Sequence, residues 1–351
     1  SDYDGHNVNG SIVMLEFNTL NRWLIAPELG AKAVIFVEPY ETSASESEAK
    51  NLRFVPLNFP RVYLESKHFY NIKDLLDNYS GLNVRLTSEV RWESRKVANV
   101  IGIAQGTDFS KEWLILFAHY DSWSVVPSLT EGATSACGIG SLLELARFMT
   151  KIDHKRSLLF VAFSGFGQCI AGARAFVNSL VWERDRFPLS KMIYGMSNEG
   201  VLLDIGMDLS PESTAIAMFY TSHLYRVECS TNTVPNEFMQ RAYHGAKPGF
   251  IAKMLSAWTK VYGRTWYIAD LDTFSEEKYD KFTPNPFIID SEAFMAMERG
   301  PPTPHAFTFR TAYAWFQHEY TPLDTFSRLA DLNNLRPQLE FIFCNIYDLS
   351  I

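Results

Sequence analysis

Three observations along this chain of 351 residues predict an α/β fold built on a mainly parallel, helix-covered sheet. Short apolar runs alternate with helix-patterned stretches from about residue 97 onward. One run, Leu114-Ile-Leu-Phe-Ala-His-Tyr-Asp-Ser122, ends in a His-x-Asp pair. A smaller unit with its own strands and helices precedes it. Alternating strands and helices imply parallel strands covered by helices. In such sheets the functional site lies beyond the strand C-termini, which is where His119 and Asp121 fall.

In the first unit, Gly10-Ser-Ile-Val-Met-Leu-Glu-Phe17 is a short β-run entered from a glycine. Leu20 to Leu29 is helix-patterned and stops at Gly30, a natural C-terminal cap. Ala31-Lys-Ala-Val-Ile-Phe-Val-Glu38 is a second strand, closed by Pro39. The acidic segment Glu41 to Lys50 is expected as a solvated loop or short surface helix. Phe59-Pro-Arg-Val-Tyr-Leu64 is a further strand, and His68 to Tyr79 a helix with Leu75 and Leu76 on one face. Asn83 to Ser94 alternates as a strand does. The second unit takes over near Val97-Ala-Asn-Val-Ile-Gly-Ile-Ala104. Strands are expected over 112–118, 157–163, 201–207 and 214–220, and helices over 137–150 and after Gly172. Residues 225–300 are rich in Tyr, Phe, Trp and Met, with Asn236 to Tyr262 helical in pattern. The expected domains are 1–90 and 91–351.

Composition narrows the function. With 47% hydrophobic residues, the chain can bury a large core. A net charge of −8, with no Lys/Arg cluster, argues against nucleic acid as a partner. No run of about 18 apolar residues exists, so no membrane-spanning segment is expected. The chain starts at Ser1 without Met or a signal-like stretch, as expected of a processed product or an excised ectodomain. The four cysteines form no CxxC pair, which argues against a zinc-thiolate site. Cys137, Cys169 and Cys344 lie among apolar or small residues and are expected as unpaired core residues. Asn9-Gly-Ser11 and Asn78-Tyr-Ser80 are glycosylation sequons, meaningful only in a eukaryotic secretory setting.

After His119-x-Asp121 come Glu131-Gly-Ala-Thr-Ser-Ala-Cys-Gly138 and the helix-patterned Ile139 to Arg147. Asn99-Val-Ile-Gly102 and Gly106-Thr-Asp108 stand before it. This spacing resembles the co-catalytic di-zinc exopeptidases, the superfamily of aminopeptidases, glutamate carboxypeptidase II and the non-enzymatic transferrin receptor. The glycine–strand–helix–Gly30-Ala-Lys-Ala-Val-Ile-Phe36 order of the first unit is similar to the protease-associated domain that accompanies them. The resemblance implies a small domain walling the cleft over the C-terminal strand ends.

A zinc pair needs several ligands, among them a bridging carboxylate, and a carboxylate base for the attacking water. The resemblance matches the family's strand-end His ligand to His119, with Asp121 orienting it. It matches the bridging Asp to Thr134, a neutral hydroxyl. Registering the next strand on Gly172-Ala173 puts Phe166 at the general-base position and Gly167 at the adjacent ligand position. No acidic residue lies between Ser157 and Asn178, so no shift of register restores the pair. Asp208 fits the fourth ligand by context, and Asn198 fits it by spacing. The last ligand, a His before Thr321-Pro-Leu-Asp-Thr325, is replaced by Tyr320, with His318 two residues away. Phe166 and Tyr320 are expected to fill the volume of the lost metals.

The resemblance therefore implies no catalytic residue and no metal ligand set, only the remnants His119 and Asp208. No cofactor is expected; zinc is the alternative. Other chemistries lack their signatures. Ser164-Gly-Phe-Gly167 is not a nucleophile elbow. Cys169 has no accompanying motif, and Gly138-Ile-Gly140 lacks the rest of a dinucleotide fingerprint. The aromatics around Trp258, Trp266 and Trp315 read as core. The expected protein is an inactive exopeptidase homologue, acting outside the cytoplasm (extracellular or periplasmic) as a binding or scaffold domain for a protein partner. Homo-oligomerisation is left open. The alternative is a metallo-exopeptidase with a single zinc or altered site, using His119, Asp208 and His318.

Overall fold

The computed structural model describes residues 3–50, 59–79, 82–89, 91, 93–181, 188, 201–212, 216–220, 226–230, 267–269, 305–311 and 318–351. The chain divides into two compact units. The smaller holds Ser1–Lys96, Ser124–Gly132 and Phe316–Arg328; the larger holds Val97–Trp123, Ala133–Trp315 and Leu329–Ile351.

The smaller unit is built on a parallel three-stranded sheet of β1 (Ile12–Glu16), β2 (Ala33–Val37) and β3 (Arg61–Leu64), in that order. Between β1 and β2 a 3-10 turn (Leu20–Leu24) runs into the short α1 (Ile25–Glu28). Gly30 ends it with φ +85°, a left-handed conformation that glycine adopts without penalty. The acidic segment forms α2 (Ala44–Glu48), and α3 covers Ser66–Asn78. Glu38, just past β2, caps α3 by accepting a hydrogen bond from the Ser66 amide at 2.7 Å. Phe17, Trp23, Ala26, Ala31, Val34 and Phe36 form the core, against which Val125 packs. Lys50 is buried beside it, 2.8 Å from Glu46 and 4.8 Å from the Phe17 ring centre. Burial lowers the Lys50 pKa, and the Glu46 carboxylate opposes that shift. Leu75 and Leu76 of α3 are exposed, and none of its residues is buried.

The larger unit carries a sheet of β4 (Val100–Ala104), β5 (Phe109–His119), β6 (Arg156–Phe163), β7 (Val201–Asp208), β8 (Ile216–Tyr220), β9 (Arg226–Ser230), β10 (Tyr267–Ala269) and β11 (His305–Thr311). Their order is β10-β9-β8-β11-β7-β5-β6-β4. The centre, β11-β7-β5-β6, is parallel, and the flanking pairings are antiparallel. The α/β class is thus observed, with the parallel character confined to the centre. The larger unit's helices among the described residues include α4 (Ala133–Met149), α5 (Ala171–Val181) and α6 (Leu335–Ser350).

Strand β5 is buried without a break from Trp113 to His119, as a strand covered on both faces must be. Its residues alternate between faces. Leu114, Leu116 and Ala118 join Leu142, Leu145 and Met149 of α4 and Phe341, Ile342, Ile346 and Leu349 of α6 in the main core. On the opposite face Phe117 meets Phe163 at 5.4 Å, and Phe163 meets Phe176 of α5 at 5.5 Å. His119 belongs to this second face. In β7, Ile205 and Met207 join the main core, so Asp204, Gly206 and Asp208 share the face of His119.

Two expectations need correction. Residues 83–94 contain no strand among those described, despite their alternation; pattern alone does not supply a pairing edge. Cys169 is exposed rather than a core residue, while Cys137 is buried and Cys344 half-buried; none of the three is in a disulfide. The helix expected over 236–262 lies outside the described residues.

Gly138 shows how tightly α4 packs on β7. A Cβ there would stand 2.7 Å from the Met207 carbonyl oxygen, whereas one at Gly140 would meet nothing within 4 Å. Gly138→Ala is therefore expected to lose about 1–3 kcal/mol through overpacking. Gly140→Ala should gain up to about 1 kcal/mol of helix propensity. Denaturant titration of the two variants checks this, and the same sign for both would contradict the packing described.

Candidate functional site

The C-terminal ends of β5, β7 and β11 meet the loop after β6, and the residues of interest in the larger unit gather there. The loop begins at Ser164, turns through Gly165 (φ +69°) into a 3-10 turn over Phe166–Gln168, and reaches α5 through Cys169 and Ile170. Those last two also have positive φ, +56° and +51°. This is unfavourable for a β-branched isoleucine, so the surrounding bonds must hold the turn. Asn99 supplies two of them: its side chain donates to the Gly172 carbonyl at 2.9 Å and accepts from the Ser164 amide at 3.1 Å. Gly172 permits this approach, since a Cβ would lie 2.2 Å from the Ser164 carbonyl oxygen.

Asp121 supplies the others. Its carboxylate accepts from the Gly165 amide at 2.6 Å and from the Phe166 amide at 3.1 Å. The sequence reading gave Asp121 the task of orienting His119. Instead both its oxygens fix the turn that carries Phe166. The chain has left the strand after His119, so the i, i+2 rule for a shared face no longer applies.

Phe166 lies flat on His119, with ring centres 3.9 Å apart and planes 15° from parallel. Both rings are buried. The position matched to a general base therefore holds a hydrocarbon ring stacked on the imidazole that the resemblance matched to a zinc ligand. The remaining void, lined by Phe117, His119, Phe166, Gly206, Met207, Asp208 and Thr308, measures about 10 Å³. That is room for about one water molecule.

Gly167, at the adjacent ligand position, is closed off by a residue the sequence reading passed over. A Cβ on Gly167 would meet the Trp123 side chain at 3.0–3.2 Å. Thr134 is buried in the first turn of α4. Asp208 ends β7 and faces Arg310, its register partner on β11. Arg310 Nε lies 3.4 Å from Asp208 Oδ2, and both side chains are about nine-tenths buried. Arg310 was also missed. Its signal was an arginine next to Phe309, an apolar strand residue that joins the main core.

Tyr320 and His318 belong to the smaller unit. Tyr320 is buried with φ +65°, and its carbonyl accepts from Ser124 Oγ at 3.1 Å. His318 Nε2 lies 3.2 Å from Glu41 Oε2, and Arg328 Nη1 lies 3.3 Å from Glu41 Oε1. Asn198 lies outside the described residues.

These residues do not fit a zinc pair. Thr134 offers no bridging carboxylate, Gly167 no ligand and Phe166 no base. The His119 ring is covered by Phe166, and Asp208 carries an arginine. Among the described residues no group of three or more His, Cys, Asp or Glu side chains could hold a metal ion. Structural zinc sites use four protein ligands and catalytic ones three.

The comparisons with known proteins bear on the frame. Residues 99–212 match the model of Peptidase family M28. A Peptidase M28 precursor from Shewanella amazonensis SB2B superposes with a TM-score of 0.52 at 12% identity, covering 98% of this chain and 69% of that one. A zinc aminopeptidase from Bacillus subtilis does so with a TM-score of 0.51 at 13% identity, covering 97% and 70%. No curated protein matches the sequence. The stretch from Asn99 through Glu212, which carries His119, Thr134, Phe166 and Asp208, therefore matches Peptidase family M28, and the fold is similar to that of zinc aminopeptidases.

Proposed function

We propose that this chain is a catalytically inactive homologue of the zinc exopeptidases and serves as a binding or scaffold domain for a protein partner outside the cytoplasm. The observation that carries the reading is the Phe166 ring stacked on His119. A hydrolytic site needs a water held between a Lewis acid and a base. Here the place matched to the base holds an apolar ring, and the void beside it has room for about one water. The burial of Phe166 favours the folded state by about 1.5–3 kcal/mol, so the filled cleft is a stable arrangement. The peptidase-like frame remains as a rigid platform. Inter-domain surfaces and strand C-terminal crevices are where α/β folds commonly place binding sites. A protein partner suits a chain whose net charge of −8 disfavours nucleic acid.

The direct test is elemental analysis of the purified protein after dialysis at neutral pH. The expected zinc content is well below about one ion per chain, since a site with this ligand set has no tight affinity. A stoichiometric content, with hydrolysis of an aminoacyl or peptidyl substrate, would overturn the reading.

Phe166→Glu asks whether the lost base alone explains inactivity. The substitution removes the stacked ring and puts a carboxylate where about 10 Å³ is open. A buried carboxylate without a partner costs several kcal/mol. The variant is expected to melt well below the parent and to gain no peptidase activity with or without added zinc. Melting curves and a chromogenic aminoacyl substrate check both parts. Activity in this single variant would mean that the other ligand positions were misassigned.

A further inference from the structure

We propose that the Arg310 guanidinium is a built-in replacement for the metal charge, and that it keeps Asp208 buried and charge-balanced in a crevice without an ion. This deepens the reading of an inactive homologue and rests on it. Asp208 ends β7 and Arg310 stands at the matching position of β11, so the parallel register brings the pair together at the C-terminal edge of the sheet. Nε to Oδ2 is 3.4 Å, with 8% and 10% of the two side chains exposed. Both point to the His119 face, because Ile205 and Met207 of β7 and Phe309 of β11 belong to the core on the other side. A carboxylate that deep needs an opposite charge close by. In a metal site the ion supplies it. Here a guanidinium, charged at every pH of interest, comes from the neighbouring strand. The chain thus needs no ion to balance Asp208, and a divalent cation approaching Asp208 meets a fixed positive charge.

The test uses the full chain and the variants Asp208→Asn, Arg310→Met and the double variant, each melted with and without added zinc chloride. Arg310→Met is expected to lower Tm by roughly 5 °C or more, as a broken buried pair does. The double variant should regain more than half of that loss, because it has no charge left to balance. Zinc should leave the Tm of the parent and of the variants unchanged, since removing the arginine restores no ligand set. Additive Tm shifts overturn the proposal. Should Arg310→Met fail to fold, Asp208→Asn is compared with the double variant. Removing the arginine is expected to lower Tm there by less than about 5 °C, and a larger loss would overturn the proposal equally. Stoichiometric zinc in the parent protein would instead defeat the inactive-homologue reading, so the two failures are told apart.

Discussion

The arrangement at the crevice depends on two carboxylates, half-buried Asp121 and buried Asp208, having their charge met from within the chain. Burying a carboxylate unpaired costs several kcal/mol, and pairing it with excellent geometry or with hydrogen-bond donors offsets that cost. Asp121 is satisfied by two backbone amides and Asp208 by a guanidinium. The two solutions have different consequences. The first converts a negative charge into the shape of a loop, and the second converts it into cohesion between two parallel strands. In both the carboxylate is committed to the protein's own groups, which leaves little of it for a metal or a substrate.

The loop from Ser164 to Gly172 shows how one such bond spreads. Two consecutive residues are unfavourable alone, a cysteine and an isoleucine with positive φ, and they lie four residues after a left-handed glycine that carries no such penalty. The amide bonds to Asp121 and the Asn99 clamp define the turn's two ends. Between them the Phe166 ring has one direction to go, down onto His119. An aromatic stack of this kind is worth about 0.5–1.5 kcal/mol beyond its burial. Trp123 then covers Gly167. The positions matched to the general base and the adjacent ligand are therefore apolar in sequence and closely packed in space.

Much of the frame was legible in the sequence. The runs at 112–118 and 157–163 are long, apolar and bounded by polar residues, and they became β5 and β6 with little shift. The absence of any acidic residue between Ser157 and Asn178 was legible because it needed only a count, with no register to guess. Two features were not legible, for separate reasons. The Asp208–Arg310 pair depends on β11 entering the sheet between β7 and β8, and local pattern does not encode which strands become neighbours. The role of Asp121 depends on where β5 ends, because side-chain alternation holds only while the strand continues. A misplaced end by one or two residues reassigns the carboxylate. The apolar alternation of 83–94 misled in the opposite way, since a strand exists only where another edge accepts its hydrogen bonds.

The two faces of β5 carry separate loads. The α4 and α6 side is a continuous apolar core through Leu114, Leu116, Leu142, Phe341 and Ile346. None of those residues reaches the crevice. The other face holds His119, Asp208 and Arg310 at its C-terminal edge, over the aromatic cluster of Phe117, Phe163 and Phe176. Residues at that edge can change from ligands to stacked rings and ion pairs while the main core, and with it the strand order, stays the same. The remaining requirement is that each exchange leaves no buried charge alone. Phe166, an apolar ring stacked on His119, brings no charge to that edge, and Arg310 sets a guanidinium 3.4 Å from the Asp208 carboxylate, on a peptidase-like fold.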